Sequence, residues 1–447
     1  MRIVHVPYSY FPDPPGGTEI YVGGLAELQR KLGHDVNIAA PGTKAHTYEH
    51  GGVNVWRFPV SRQLSLAELY GAGDPMAAEA FARILDRLEP EVVHLHAFTS
   101  AVSARLAEEA SKRDIPVIFS YHTPTASCTR GTLLRWGTDI CDGDLAHQPC
   151  TACVLNNQGL PRSIAGLISL LPEGLAEPAR RGDHSGGVWT AIRMPELIAL
   201  RIAAFHRLIE TAEQVVAHCE WTRQLLLRNK VPEGKIILCR QGILDERDEE
   251  FSQHRLRDRS LPLRGAFFGR LDPTKGLHIV VDALKRQKSL PVHLDVYGIS
   301  QGEAGSAYAR QIKKQAATDP RLRMFPALDR TEVIARLRDY DFLVVPSQCL
   351  ETGPLVVLEA FAAGTPVLGS DLGGIAELVT HGANGLLVAP PESVEAWSEM
   401  LTRISKEPEV LASLRKGIRP PRHMRDAANE LVPVYASVLC RTAAPSR

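Results

Sequence analysis

The 447-residue chain has no charge of one sign to spare, because 51 Lys and Arg stand against 51 Asp and Glu. That balance lacks the basic stripe a nucleic-acid partner requires and the surplus needed for wholesale adhesion to acidic lipid, so no nucleic-acid partner is expected. No uninterrupted apolar run approaches the roughly 18 residues that cross a bilayer, the longest being broken by Glu359, Pro172 or charges. The opening residues, MRIVHVPYSY, lack the charged start, apolar core and small-residue cleavage site of a secretory signal. Cytoplasmic residence is the expectation, with peripheral contact at an inner membrane face left open. No internal repeat or low-complexity tract is visible, which leaves ordinary globular domains.

What is present is an alternation of strand-like and helix-like segments. Ile3 to Val6, Val36 to Ala39, Val92 to Leu95 and Val117 to Tyr121 read as buried strands, and Tyr21 to Leu32 and Ser100 to Ala110 as helices. Such alternation argues for an α/β chain with parallel sheets covered by helices on both faces. The length implies two to three domains. A polar stretch, LDERDEEFSQHRLRDRSLPL at 244–263, reads as a linker between a first domain (1–243) and a second βα series (264–420), followed by a helical tail at 421–447.

The second series carries most of the chemistry. In PSQCLETGPLVVLEAFAAG, Phe342 to Pro346 reads as a strand and LEAFAAG as a helix ending at Gly364, with Glu351 in the turn and Glu359 about two helical turns onward. Eight helical residues advance by about 800°, which points the two carboxylates broadly the same way. The turn between them offers backbone N–H groups at a helix N-terminus, where phosphate binds well. Pro354 has no N–H, so any such cradle uses Gly353, Leu355 and Val356. Upstream, FGRLDPTKGL places Gly269, Arg270, Lys275 and Gly276 on one strand-to-helix loop. Two cations there suit a diphosphate, Arg as a bidentate fork and Lys as a compact charge.

Together these segments, with GTPVLGSDLGG downstream, resemble the retaining GT-B glycosyltransferases of the E-x7-E group (family 4, glycosyl transferases group 1). The resemblance implies two Rossmann-like doubly wound domains facing a central cleft, with a last helix that crosses back to the first domain. It implies Glu351 on the donor sugar, Glu359 on the ribose, and Arg270 and Lys275 on the donor diphosphate. In the first half, Gly16 and Gly17 precede a helix and, with the acidic residue that follows, resemble the family's first loop facing donor and acceptor. His122, at the end of PVIFSYH, resembles the histidine beside the donor sugar. His94 and His96 read as structural, with His96 the better candidate for the cleft. Ser370 or Asp371 reads as a helix cap.

Four of the eight cysteines, Cys128, Cys141, Cys150 and Cys153, fall within 26 residues, inside a segment (123–160) that reads as an insert. Four thiols so close in a cytosolic chain read as a structural zinc or iron–sulfur site, as reduced free cysteines, or as a redox pair at the CxxC. Cys219, Cys239, Cys349 and Cys440 are dispersed and read as buried apolar residues. The stripe in RSIAGLISLLPEGLAEPARR reads first as core packing, otherwise as an acceptor-lining or membrane-surface helix.

The expected activity is transfer of a sugar from a nucleotide-sugar donor to an acceptor hydroxyl (glycan, lipid-linked saccharide or small molecule), with retention and without a catalytic metal or other cofactor. Polysaccharide biosynthesis is the expected setting. The alternative is a catalytically idle homologue that binds sugar nucleotides as a sensor or assembly partner.

Overall fold

The computed structural model describes residues 1–13, 16–172, 187–244 and 261–442. Most of the expected linker, at 245–260, and the end of the RSIAGLISLLPEGLAEPARR stripe, from 173, therefore lie outside the described residues. The chain divides into two units, Met1–Arg240 with Ala427–Arg447, and Gln241–Asp426.

In the first unit the strands are β1 (Arg2–Val6), β2 (Asp35–Gly42), β3 (His46–His50), β4 (Val53–Pro59), β5 (Val92–Leu95), β6 (Val117–Tyr121), a separate hairpin β7 (Leu134–Arg135) and β8 (Asp139–Ile140), then β9 (Gln214–Ala217) and β10 (Ile236–Leu238). Eight of them form one sheet in the order β10-β9-β6-β5-β1-β2-β4-β3. The central strands are buried along their whole length, as expected where helices cover both faces. One expectation fails at the edge: β3 runs antiparallel to β4. Gly51 and Gly52, at φ +56° and +74°, supply the tight two-residue turn that makes this hairpin. The helix expected from Ser100 begins only at Ala104, because Thr99 to Val102 close a turn and Ser103 stays extended.

The helix Arg162–Ser169 packs Ala165 and Ile168 into a core cluster, but Ile164, Leu167 and Leu170 are exposed, Leu167 at 69%, so core packing accounts for one side of that stripe. The C-terminal helix Met424–Thr442 brings Tyr435 into the first unit, where its hydroxyl meets His94 Nδ1 at 2.7 Å.

The second unit is a single parallel sheet of β11 (Leu263–Arg270), β12 (Val292–Ile299), β13 (Leu322–Phe325), β14 (Phe342–Val345), β15 (Val367–Ser370) and β16 (Gly385–Val388). Their order, β13-β12-β11-β14-β15-β16, is the doubly wound 3-2-1-4-5-6 arrangement. A core built on Val280, Leu294, Phe342 and Trp397 fills one side of it. Connections reverse direction between the neighbours β11 and β14. The loops leaving the carboxyl ends of those two strands therefore open at the topological switch point, where open α/β sheets bind ligands.

Candidate active site

Both cation-bearing and carboxylate-bearing motifs of the second unit leave the sheet at this switch point. Arg270 is the exposed last residue of β11. Asp272 then accepts from the Thr274 amide at 2.8 Å and its hydroxyl at 2.5 Å, which closes the short 3-10 turn Pro273–Lys275. Gly276 follows at φ +68°, and a Cβ there would stand 1.9 Å from the Pro346 carbonyl oxygen. Only glycine permits that approach. The Gln348 amide donates to the Thr274 carbonyl at 2.7 Å, so the loops after β11 and β14 are laced together by backbone.

Lacing brings Lys275 Nζ to 2.5 Å from Glu351 Oε1. Ser347 Oγ donates to the same carboxylate oxygen at 2.7 Å. Burial by itself would raise the Glu351 carboxyl, but the Lys275 charge and hydrogen bond, with Ser347 and Arg270, hold it below its ordinary value. Behind it the Gly374 amide donates to the Glu351 carbonyl at 2.7 Å, and a Cβ on Gly374 would fall 2.6 Å from both that oxygen and the Gly353 nitrogen. The DLGG segment is thus a backbone rest for the ETG turn. Neither Ser370 nor Asp371 is the cap; the helix Gly373–Leu378 has Leu372 in that position.

The helix after the turn is Leu355–Ala362, capped by Pro354. Glu351 precedes it by four residues, so the helical-phase argument for its direction does not hold. Its orientation comes from Lys275 and Ser347 instead. Leu355 and Val356 are the first two helical residues, among the amides that lack intrahelical acceptors. Glu359 lies within the helix, and burial raises its carboxyl against the pull of Arg330. Arg330, the first residue of the helix Arg330–Leu337, is itself pushed down to about 10 by burial, with Glu359 opposing. Sequence reading missed Arg330 and Ser347. Nothing in the spacing links Arg330 to Glu359, since the fold makes that pair.

In the first unit Gly16 caps the helix Gly17–Lys31, and its amide donates to Glu19 Oε2 at 2.7 Å. The acidic residue of the loop therefore serves the helix start. His122 follows β6 directly and is buried. It belongs to a row of histidines at the carboxyl ends of four adjacent strands: His218 after β9, His122 after β6, His96 after β5 and His5 on β1. Ring centroids are 4.3, 5.2 and 5.1 Å apart along the row.

His122 Nε2 meets His96 Nδ1 at 3.0 Å, His96 Nε2 meets His5 Nδ1 at 2.9 Å, and His5 Nε2 meets Gln29 Oε1 at 2.7 Å. With the Gln29 carbonyl accepting, neutral rings alternate so that each donates through Nε2, and His122 Nδ1 is the acceptor end. His94 instead bonds Ser120 Oγ and Tyr435 OH, at 2.8 and 2.7 Å. His5, His94 and His96 are close enough to hold a metal ion. Their nitrogens, however, are occupied by these hydrogen bonds.

Cys128, Cys141, Cys150 and Cys153 are free thiols lining one cavity beyond His122. Burial pushes the Cys150 thiol up to about 12. Cys219 and Cys239 are buried, as expected; Cys440 is exposed, which corrects its reading as buried. No helix among the described residues is long and apolar enough to cross a membrane.

The sequence matches the model for a glycosyl transferase 4-like domain over residues 16–242, more than half the chain, and that for glycosyl transferases group 1 over residues 249–419. A D-inositol 3-phosphate glycosyltransferase of Jonesia denitrificans is 32% identical over 180 residues, 38% of this chain and 42% of that protein. Similar matches to the proteins of Saccharomonospora viridis and Corynebacterium efficiens span 37% and 41% of their lengths. The protein of the same description from Thermobispora bispora is 24% identical over 419 residues, 88% of this chain and 91% of that one. Sucrose-phosphate synthase from Thermosynechococcus elongatus superposes with a TM-score of 0.65 at 18% identity, covering 99% and 100% of the two chains. Anabaena Alr3699/HepE in complex with UDP and glucose does so at 0.63 and 15%, covering 98% and 100%. Two doubly wound units in the expected order, each matched by its own family model, make this chain a member of the glycosyl transferases group 1 family, with the GT-B fold.

Proposed function

We propose that the chain transfers a sugar from a nucleotide-sugar donor to an acceptor hydroxyl with retention of configuration. The observation that carries this reading is the Lys275–Glu351 pair at the switch point of the second sheet, with Arg270 at the neighbouring strand end. Arg270 and Lys275 would neutralise the donor diphosphate and stabilise the charge it gains on leaving. Glu351 would accept hydrogen bonds from the sugar hydroxyls, and Glu359 from the ribose, each carboxylate serving as acceptor. His122, at the end of β6, is the residue this reading sets beside the donor sugar.

In the reaction the acceptor oxygen bonds to the anomeric carbon as the bond to the diphosphate oxygen breaks. The acceptor proton passes to the departing diphosphate. This front-face route assigns no metal a step, because the chain's own cations meet the developing charge. The donor class is supported by the Anabaena homologue, described in complex with UDP-glucose, and the curated relatives are described as D-inositol 3-phosphate glycosyltransferases. The acceptor class we propose is correspondingly broad: a saccharide, lipid-linked saccharide or small molecule with a free hydroxyl. Cytoplasmic residence, with peripheral contact at a membrane face, goes with this reading.

A thermal-shift screen of nucleotide sugars tests the donor site, since a ligand at about 100 times its dissociation constant adds about 2.7 kcal/mol. Transfer or slow hydrolysis of the donor so identified, with NMR showing the anomeric configuration kept, supports the enzyme. Inversion would overturn the retaining route. Tight binding with neither transfer nor hydrolysis for any acceptor would instead make the chain a sugar-nucleotide sensor.

A further inference from the structure

The segment between β6 and the helix His147–Asn157 has little of its own to hold it. Its only ladder is the β7–β8 hairpin, two residues a side, which is marginal without further support. Leu133 and Trp136, on either side of β7, sit at φ +52° and +58°, which non-glycine residues rarely adopt. Yet the segment is closely shaped. Cys128 lies just after the short 3-10 turn Pro124–Ala126, Cys141 follows β8, and Cys150 and Cys153 share one face of the helix at a spacing of three.

All four line a single cavity of about 30 Å³, on a measure by which one water needs roughly 10–15 Å³. Backbone amides aim at two of the sulfurs: Trp136 N–H at Cys153 Sγ, 3.4 Å, and Gly143 N–H at Cys141 Sγ, 3.5 Å. Such bonds favour the thiolate form and are typical of the outer shell of a metal site. Arg130 and Arg135 line the same cavity together with one carboxylate, Asp144, and Arg135 also meets Asp142 at 3.3 Å.

We propose that Cys128, Cys141, Cys150 and Cys153 bind one zinc ion as a tetrahedral tetrathiolate that pins this segment behind His122. Four Zn–S bonds form as four thiol protons leave to solvent. The resulting double negative charge falls beside Arg130, whose Nη1 donates to the Cys153 carbonyl at 3.3 Å. As they stand, no three of the sulfurs lie within 4.8 Å of one another. Zn–S bonds of about 2.3 Å therefore draw the side chains inward across the cavity. Its volume suits a single ion better than a four-iron cluster. A redox pair at Cys150 and Cys153 fits less well, because it leaves Cys128 and Cys141 of the same cavity unused. The inference is independent of the transferase reading.

Metal analysis of the whole chain, purified without chelator, tests it. The expected result is about one zinc per chain, falling below about a tenth in Cys150→Ser and Cys153→Ser. Should those variants fail to fold, the wild-type chain decides: after chelator stripping, cobalt(II) added alone must give tetrahedral thiolate–cobalt absorption bands at one equivalent. Absence of zinc with no cobalt bands, a Cys150–Cys153 disulfide, or iron with inorganic sulfide would each overturn the proposal.

Discussion

Lys275 Nζ stands 2.5 Å from Glu351 Oε1, joining the two loops that leave the second sheet where its connections reverse. The side chains are 20% and 15% exposed, so neither charge is well solvated without the other. Lys275→Ala and Glu351→Ala are each expected to lower transfer by about 10²–10³-fold, the scale of losing one preorganised charge contact. Each also costs about 1–2 kcal/mol of stability, discounted for the remaining solvent access. Steady-state rates beside urea unfolding check both; wild-type rates in either variant would sink the site assignment.

Arg330 opposes the rise that burial imposes on Glu359. Arg330→Ala is expected to leave Glu359 protonated to higher pH and to raise the donor KM about tenfold, roughly 1.4 kcal/mol. kcat should change little. A KM that does not respond, at pH 6 or pH 8, would remove Glu359 from the ribose site.

Gly276→Ala tests the backbone lacing without touching a charge. Its Cβ would collide with the Pro346 carbonyl at a positive φ. The expected loss is at least about 2 kcal/mol, read as a lower urea midpoint. An unchanged midpoint would show that the two loops are free to separate.

The histidine row makes stability depend on pH. Unfolded imidazoles take up a proton near 6.5. Burial holds His5 and His218 down to about 4 and drives His94, His96 and His122 well below 6.5. The groups recorded around them among the described residues include Tyr21, Tyr435, Ser120 and Gln29. Between those values the unfolded chain binds more protons, so stability present above pH 6.5 is lost as pH falls. At about 1.36 kcal/mol per pKa unit, His5 and His218 each forfeit about 3 kcal/mol by pH 4. Chemical denaturation between pH 7.5 and 4.5 should show the decline, shallower in His218→Gln. A flat profile would mean that the row is protonated in the fold.

Strands such as β6 and β14 were legible because short aliphatic runs between Pro, Gly and polar residues have few other uses. The β3–β4 hairpin was passed over, its strand HTYEH being polar and exposed at a sheet edge. Glu351 was found for a reason only half right: its motif marked it, but the helix begins after it. The cysteines were visible as a cluster, whereas their common cavity needed the hairpin and helix to fold towards each other.

Local chemistry in the chain is enough to set which residues can carry charge to a diphosphate and where most strands and helices begin. Those properties depend on neighbours a few residues away. Which groups actually meet is decided by the order of strands in each sheet. Lys275 and Glu351 are 76 residues apart. His5 and His96 are 91 apart. The partners become neighbours only because β11 lies beside β14 and β1 beside β5. The glutamate's low pKa follows from partners that strand order supplies, and the histidines' neutrality from the burial it imposes, and no spacing along the chain encodes either.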